Sequence, residues 1–236
     1  YDGIEDIIRT FQTFVSSANG LIVMCGDDKN VRKIKTHTQT IYYGFDETND
    51  LVAKNVKLTS LGSEFDVYQN GTFYGHFDLP LFGRHMILNA LAAIAICDYY
   101  GIGAKEIENS VHTFHGAKRR FKEIVAGDVV IIDDYAHHPT ELRVTLEAAH
   151  QKYPEKELVA VFLPNTYSRT LALLDDFVEV LKKADKAYIM DIHCDRERRE
   201  NYQNVSSDMI IERVPNSEKI SEDTVQKLLT LSLIHI

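Results

Sequence analysis

From residue 128 onward the chain alternates short apolar runs with longer stretches of helical spacing, and this alternation limits its possible folds more than any other feature. Residues 128–132, apolar after the leading Asp128, and residues 158–163 and 186–192 read as strands, with helices over 140–152 and 168–183 between them. Strand, helix and strand in short-linked succession call for βαβ units around a parallel sheet. A strand covered on both faces loses its period-two alternation, which accounts for the Val129-Val130-Ile131-Ile132 run.

That first strand runs into Asp133-Asp134-Tyr135-Ala136-His137-His138-Pro139-Thr140. Pro139 suits the first position of a helix, where a missing N–H costs nothing. In open α/β sheets, ligands gather at the carboxyl ends of strands, and a helix N-terminus there favours anions. Two readings stand side by side. One is a helix cap; the other is a nucleotide contact, with an Asp carboxylate accepting both ribose hydroxyls and a His facing phosphate. Two acids beside two histidines exceed what one cap requires.

The first half is organised differently. Ile4, Ile7, Ile8, Phe11, Phe14 and Val15 recur at helical spacing, so residues 3–17 form an amphipathic helix ended at Gly20. A buried strand over 21–26 leads into Asp27-Asp28-Lys29-Asn30, where helix capping is the expected role of the acids. Strands over 40–45, 53–59, 64–69 and 72–77 follow, the last two joined by Asn70-Gly71, a strong two-residue hairpin signal. Helices over 83–100 and 105–114 close this half, and the domain boundary is placed near His115, giving domains 1–115 and 116–236.

A formal net charge of −9 argues against nonspecific binding to nucleic acid or anionic membrane, which depends on Lys and Arg neutralising phosphates. The local exception is Lys118-Arg119-Arg120, readable as a solvated hinge or as a phosphate contact. Cys25, Cys97 and Cys194 are widely spaced without a C-x-x-C pattern and read as reduced thiols. No apolar stretch reaches the ~18 residues of a spanning helix, and the acidic start is unlike a secretory leader, so a cytoplasmic location is expected.

Four segments, in order, resemble the Mur ligases, ATP-dependent amide-forming enzymes of peptidoglycan precursor synthesis. Gly83-Arg84-His85-Met86-Ile87-Leu88-Asn89-Ala90-Leu91-Ala92-Ala93 is similar to a family helix that carries Asn where Met86 stands. Gly116-Ala117-Lys118-Arg119-Arg120-Phe121 resembles the interdomain hinge, and the 133–140 octet resembles the family's Asp-Tyr-Ala/Gly-His-x-Pro turn. Pro164-Asn165-Thr166-Tyr167-Ser168-Arg169-Thr170 resembles the branch that uses UDP-N-acetylmuramate and L-alanine, with Asn165 where His is usual. Arg196 and Glu197 match a further signature, whose preceding small residues are replaced by His193-Cys194-Asp195. Adjacent strand residues face opposite ways, which disfavours that trio as a metal cluster.

The resemblance implies an α/β chain: the latter part of the ATP-binding central domain with a small antiparallel annex, then a Rossmann-like C-terminal domain. It implies ATP and Mg2+, with the phosphate loop and Mg2+ ligands upstream of this chain, and no metal ligands within it. Asn89 is implied at adenine, Asp134 at ribose, His137 and Arg120 on the phosphate side, and Arg169 at the substrate carboxylate. His138 is expected to cap and Tyr167 to pack. The chain alone is expected to be inactive, and residues 231–236 to be a non-native tail. Two alternatives stay open: another Mur or folylpolyglutamate-type ligase, and a noncatalytic nucleotide-binding module.

Overall fold

The computed structural model describes residues 3–117, 120–194, 196–221 and 234–235. Internal contacts divide the chain into two units, Tyr1–His115 and Gly116–Ile236.

In the first unit, α1 (Ile4–Val15) precedes β1 (Leu21–Cys25), β2 (Gln39–Gly44), β3 (Leu51–Thr59), β4 (Gly62–Gln69) and β5 (Thr72–Leu79), followed by α2 (Arg84–Tyr99) and α3 (Ala104–His112). The five strands form one sheet in sequence order. β1, β2 and β3 are parallel, whereas β3, β4 and β5 form an antiparallel meander. The antiparallel annex expected from the sequence is therefore continuous with the parallel strands, with β3 belonging to both. The start of β3 pairs with β2 at Leu51 and Val52 and with β4 along its other edge, and Leu51, Val52 and Ala53 are all buried.

The Asn70-Gly71 hairpin forms as the sequence indicates. Asn70 and Gly71 have φ of 48° and 79°, left-handed values that suit the twist of paired strands. Inward-facing Phe65, Val67, Phe77 and Leu79 alternate with polar outward residues, and α2 contributes Ile87, Leu91 and Ile94 to the same core. Phe65 and Phe77 are fully buried, with their rings stacked 5.7 Å apart.

The second unit contains β6 (Lys122–Ala126), β7 (Val129–Asp133), α4 (Pro139–Lys152), β8 (Leu158–Phe162), α5 (Tyr167–Ala172), α6 (Leu174–Leu181), β9 (Lys186–Ile189), α7 (Asp208–Ile211), β10 (Ser217–Lys219) and β11 (Ile234–His235). Its sheet order is β10-β9-β8-β11-β7-β6, parallel except for β6. The βαβ alternation is present, but β7 and β8 are not neighbours, because β11 pairs with both. The single helix expected over 168–183 is two helices, since Leu173 has ψ of 23° and breaks the turn between α5 and α6. The core joins Val130 and Ile132 of β7 to Leu142 and Leu146 of α4 and Phe177 of α6. No helix among the described residues is long and apolar enough to cross a membrane.

Candidate functional site

The turn after β7 is held by its own carboxylates. Asp134 accepts the Phe121 N–H through Oδ2 at 2.8 Å and the Ala136 N–H through Oδ1 at 2.9 Å. The first bond ties the start of the unit to the turn, and Phe121, at φ 50°, packs its ring against the core. Arg120, the preceding residue, is exposed and close enough to bear electrostatically on Glu141. Lys118 and Arg119 lie outside the described residues.

His138 is the N-cap of α4. Its Nδ1 accepts the Thr140 N–H at 3.2 Å, while Glu141 reaches back to the His138 N–H at 3.1 Å, completing a reciprocal capping box. Glu141 also accepts the His137 N–H at 2.9 Å. Burial pushes the Glu141 carboxyl upward, but the His137 and His138 amides and the nearby His137 and Arg120 charges outweigh it and hold the carboxyl below its usual range. The His137 ring bonds the Tyr135 carbonyl through Nδ1 at 2.9 Å and meets the Tyr135 ring edge-on. With Nδ1–H donated to that carbonyl, Nε2 is the ring atom left for a ligand.

The cap reading of the octet is present in His138 and Glu141, and Asp134 braces the turn through two backbone amides. The structure brings Arg120, Asp134 and His137 together at the carboxyl end of β7. Asp133 is exposed at the strand's last position.

Arg169 is half-buried on α5, and among the described residues its guanidinium makes no ion pair or hydrogen bond, so it keeps its donor fork. Its helix begins at Thr166, whose φ of 69° turns the chain sharply out of β8. Glu197 caps that start, accepting the Tyr167 N–H at 2.7 Å, the Ser168 N–H at 3.1 Å and the Ser168 hydroxyl. Cys194 supports Glu197 from behind, its Sγ accepting the Glu197 N–H at 3.3 Å. Asn165 is exposed and bridges backbone to His193. Tyr167 is buried and stacks on Tyr202, the packing role expected from the sequence. Asp195 lies outside the described residues.

In the first unit Asn89 is exposed on α2, and its amide donates weakly to Met86 Sδ at 3.6 Å. Met86 packs against the core, so the departure from the family's Asn exchanges a polar contact for apolar packing. Gly83, at φ 87°, is the left-handed residue that starts α2.

Sequence reasoning missed a polar latch at the carboxyl ends of β1 and β2. Asp27, expected as a helix cap, instead accepts the Phe45 N–H at 2.8 Å, the Asp46 N–H at 3.1 Å and the Asn49 amide at 2.8 Å. Arg32 closes the ring on Asn49 Oδ1 at 2.6 Å and the Gly26 carbonyl at 2.9 Å. A side chain at Gly26 would collide with Asn49 and Arg32. Burial of Asn49, 23 residues from Gly26, was the only possible sign, and sequence pattern does not carry it.

Residues 1–97 match the model described as Mur ligase middle domain, and residues 119–233 match Mur ligase, glutamate ligase domain. The chain belongs to the Mur ligase family. Solved structures agree on the fold. The UDP-N-acetylmuramate-alanine ligase MurC of Thermotoga maritima is 19% identical with a TM-score of 0.77, over 99% of this chain and 51% of that one. The MurF ligase of Thermotoga maritima, in complex with ADP, is 17% identical with a TM-score of 0.74, over 98% of this chain and 53% of that one. Folylpolyglutamate synthase of Mycobacterium tuberculosis, complexed with ADP and AMPPCP, is 13% identical with a TM-score of 0.69, over 93% and 53%. The chain therefore spans about half the length of these Mur ligase-fold structures.

Proposed function

We propose that this chain works in an ATP-dependent amide ligase that joins L-alanine to the carboxylate of UDP-N-acetylmuramate in peptidoglycan precursor synthesis. The observation that carries the reading is the Phe121 to Asp134 bond, which ties the residue after Arg120 to the turn that bears Asp134 and His137. A family of acid-amino-acid ligases fits that grouping. The choice of L-alanine rests on the 164–170 segment alone, because the structural likenesses are nearly as good for ligases with other substrates and, at this identity, speak to the fold alone.

In such a reaction the acid is activated as an acyl phosphate, the amine adds to its carbonyl, and phosphate leaves. Positioning and charge neutralisation govern the rate. Bound Mg2+ would supply part of that neutralisation, and none of the residues assigned here is a ligand for it. In the first unit, Asn89 presents a carboxamide that both donates and accepts, as an adenine edge requires. In the second, each Asp134 oxygen holds one amide and keeps a further acceptor site for a ribose hydroxyl. Arg120 and the His137 ring would meet phosphate oxygens, aided by the α4 N-terminus. Arg169 would grip a carboxylate with its fork.

The test is phosphate release by the intact ligase with ATP, Mg2+, UDP-N-acetylmuramate and a panel of amino acids. L-alanine should drive release, and Arg169→Ala should lower kcat/KM by ~100-fold through lost positioning. Preference for another amino acid would move the protein to a different ligase of the family. Nucleotide binding without release for any acid would leave a noncatalytic module.

A further inference from the structure

The outward face of the β4–β5 hairpin carries a cluster that the ligase reading does not use. Glu64 and Asp66 of β4 lie opposite Asp78 and His76 of β5, respectively. Their neighbours Phe65 and Phe77 point the other way into the core, so the backbone beneath the cluster is fixed. Glu64 and Asp78 are two like charges in direct cross-strand register, an arrangement that is unfavourable without a cation between them. Among the described residues, the cationic groups facing the pair are Lys57 Nζ, 3.4 Å from Glu64, and the His76 ring, whose Nε2 is 3.5 Å from Asp78.

His76 is oriented from behind. Its Nδ1 bonds Asp66 Oδ1 at 2.7 Å, and the other Asp66 oxygen is held by the Asn55 amide at 2.7 Å. Asn55 reaches it from a bulge in β3, where its φ is 52°. A carboxylate that fixes one ring nitrogen and points the other outward is the usual support of a metal-bound histidine. The donor atoms of Glu64, His76 and Asp78 all lie within 4.8 Å of one another. A tetrahedral shell with bonds of about 2.0 Å needs donors about 3.3 Å apart, a closure that rotation of the exposed Asp78 and half-exposed Glu64 side chains supplies.

We infer that Glu64, His76 Nε2 and Asp78 form a binding site for a divalent transition-metal ion of the Zn2+ class, with Asp66 positioning the histidine. One imidazole with two carboxylates suits Zn2+ or Ni2+ better than Mg2+, which prefers oxygen donors and retained water. Three protein ligands leave a position open to water. The ion clamps β4 to β5 and displaces Lys57 from Glu64.

The test is calorimetric titration of the 236-residue chain with Zn2+ alone and Mg2+ alone, with the His76 ring signals followed by NMR. Saturable Zn2+ binding should shift the His76 ring nitrogens, and Mg2+ should produce neither heat nor shift at equal concentration. Asp66→Asn should weaken binding by ~10–100-fold, whereas Lys57→Ala should strengthen it. His76→Gln, which keeps a polar side chain on the exposed face, should abolish it. Unchanged Zn2+ binding in His76→Gln, or no His76 shift at saturation, overturns the inference, as does the absence of saturable binding.

Discussion

Replacing Asp134 by alanine removes the carboxylate that joins Phe121 to the turn after β7. Two backbone amides lose their acceptor, one at 2.8 Å and one at 2.9 Å, both part-buried. A hydrogen bond to a charged acceptor contributes about 1.5–3 kcal/mol net, so two intact bonds would amount to roughly 3–6 kcal/mol. Water reaches this half-exposed turn and replaces part of each, which brings the expected loss to about 2–4 kcal/mol. Phe121 sits at φ 50°, a region costly for a bulky side chain, so any relaxation of that strain once its restraint is gone offsets part of the loss. Asp134→Asn keeps one acceptor oxygen and should lose about half as much as alanine. Urea unfolding of the second unit measures the loss, and amide exchange at Phe121 and Ala136 locates it. An alanine variant within ~0.5 kcal/mol of wild type, with unchanged protection at both amides, would refute the bracing argument.

Other consequences are equally open to measurement. Glu141 has a carboxyl pKa lowered in the folded chain, so its contribution is present above the unfolded value and is lost as pH falls through the folded one. The start of α4 should therefore lose exchange protection below the usual glutamate range of about 4.5, and Glu141→Gln should remove that pH dependence while weakening the cap. Glu197→Ala should cost ~1–2 kcal/mol and expose the Tyr167 and Ser168 amides to exchange. If those amides stay protected, Glu197 does not hold α5. Phe77→Ala, at a fully buried ring between Phe65 and Tyr74, should cost ~3–5 kcal/mol of first-unit stability in denaturant titration. Gly71→Ala has open space for its methyl group but keeps a φ of 79°, so a loss of ~1 kcal/mol would be strain alone.

What the sequence disclosed and what it concealed follow from the range of each interaction. The Asn70-Gly71 turn, the Pro139 helix start and the apolar β7 run are set by residues adjacent in the chain, and each was readable there. The break at Leu173 was not, because residues 168–183 keep helical spacing through it. Pairing of β3 with both β2 and β4 depends on register between distant segments, so the antiparallel strands looked separate in sequence. The same limit hid the Asp27, Arg32 and Asn49 latch. For the candidate site, the residue types at 120, 134 and 137 were legible, as was the capping by His138. The Asp134 bond to Phe121 was not, since it spans 13 residues with no local pattern.

The most direct test of the ligase reading is amino-acid-dependent phosphate release by the intact enzyme, wild type beside Arg120→Ala, with ATP, Mg2+ and UDP-N-acetylmuramate. The account predicts release that requires L-alanine and falls steeply in the variant while the fold is kept. Release that ignores every amino acid offered, or full activity in Arg120→Ala, would contradict it.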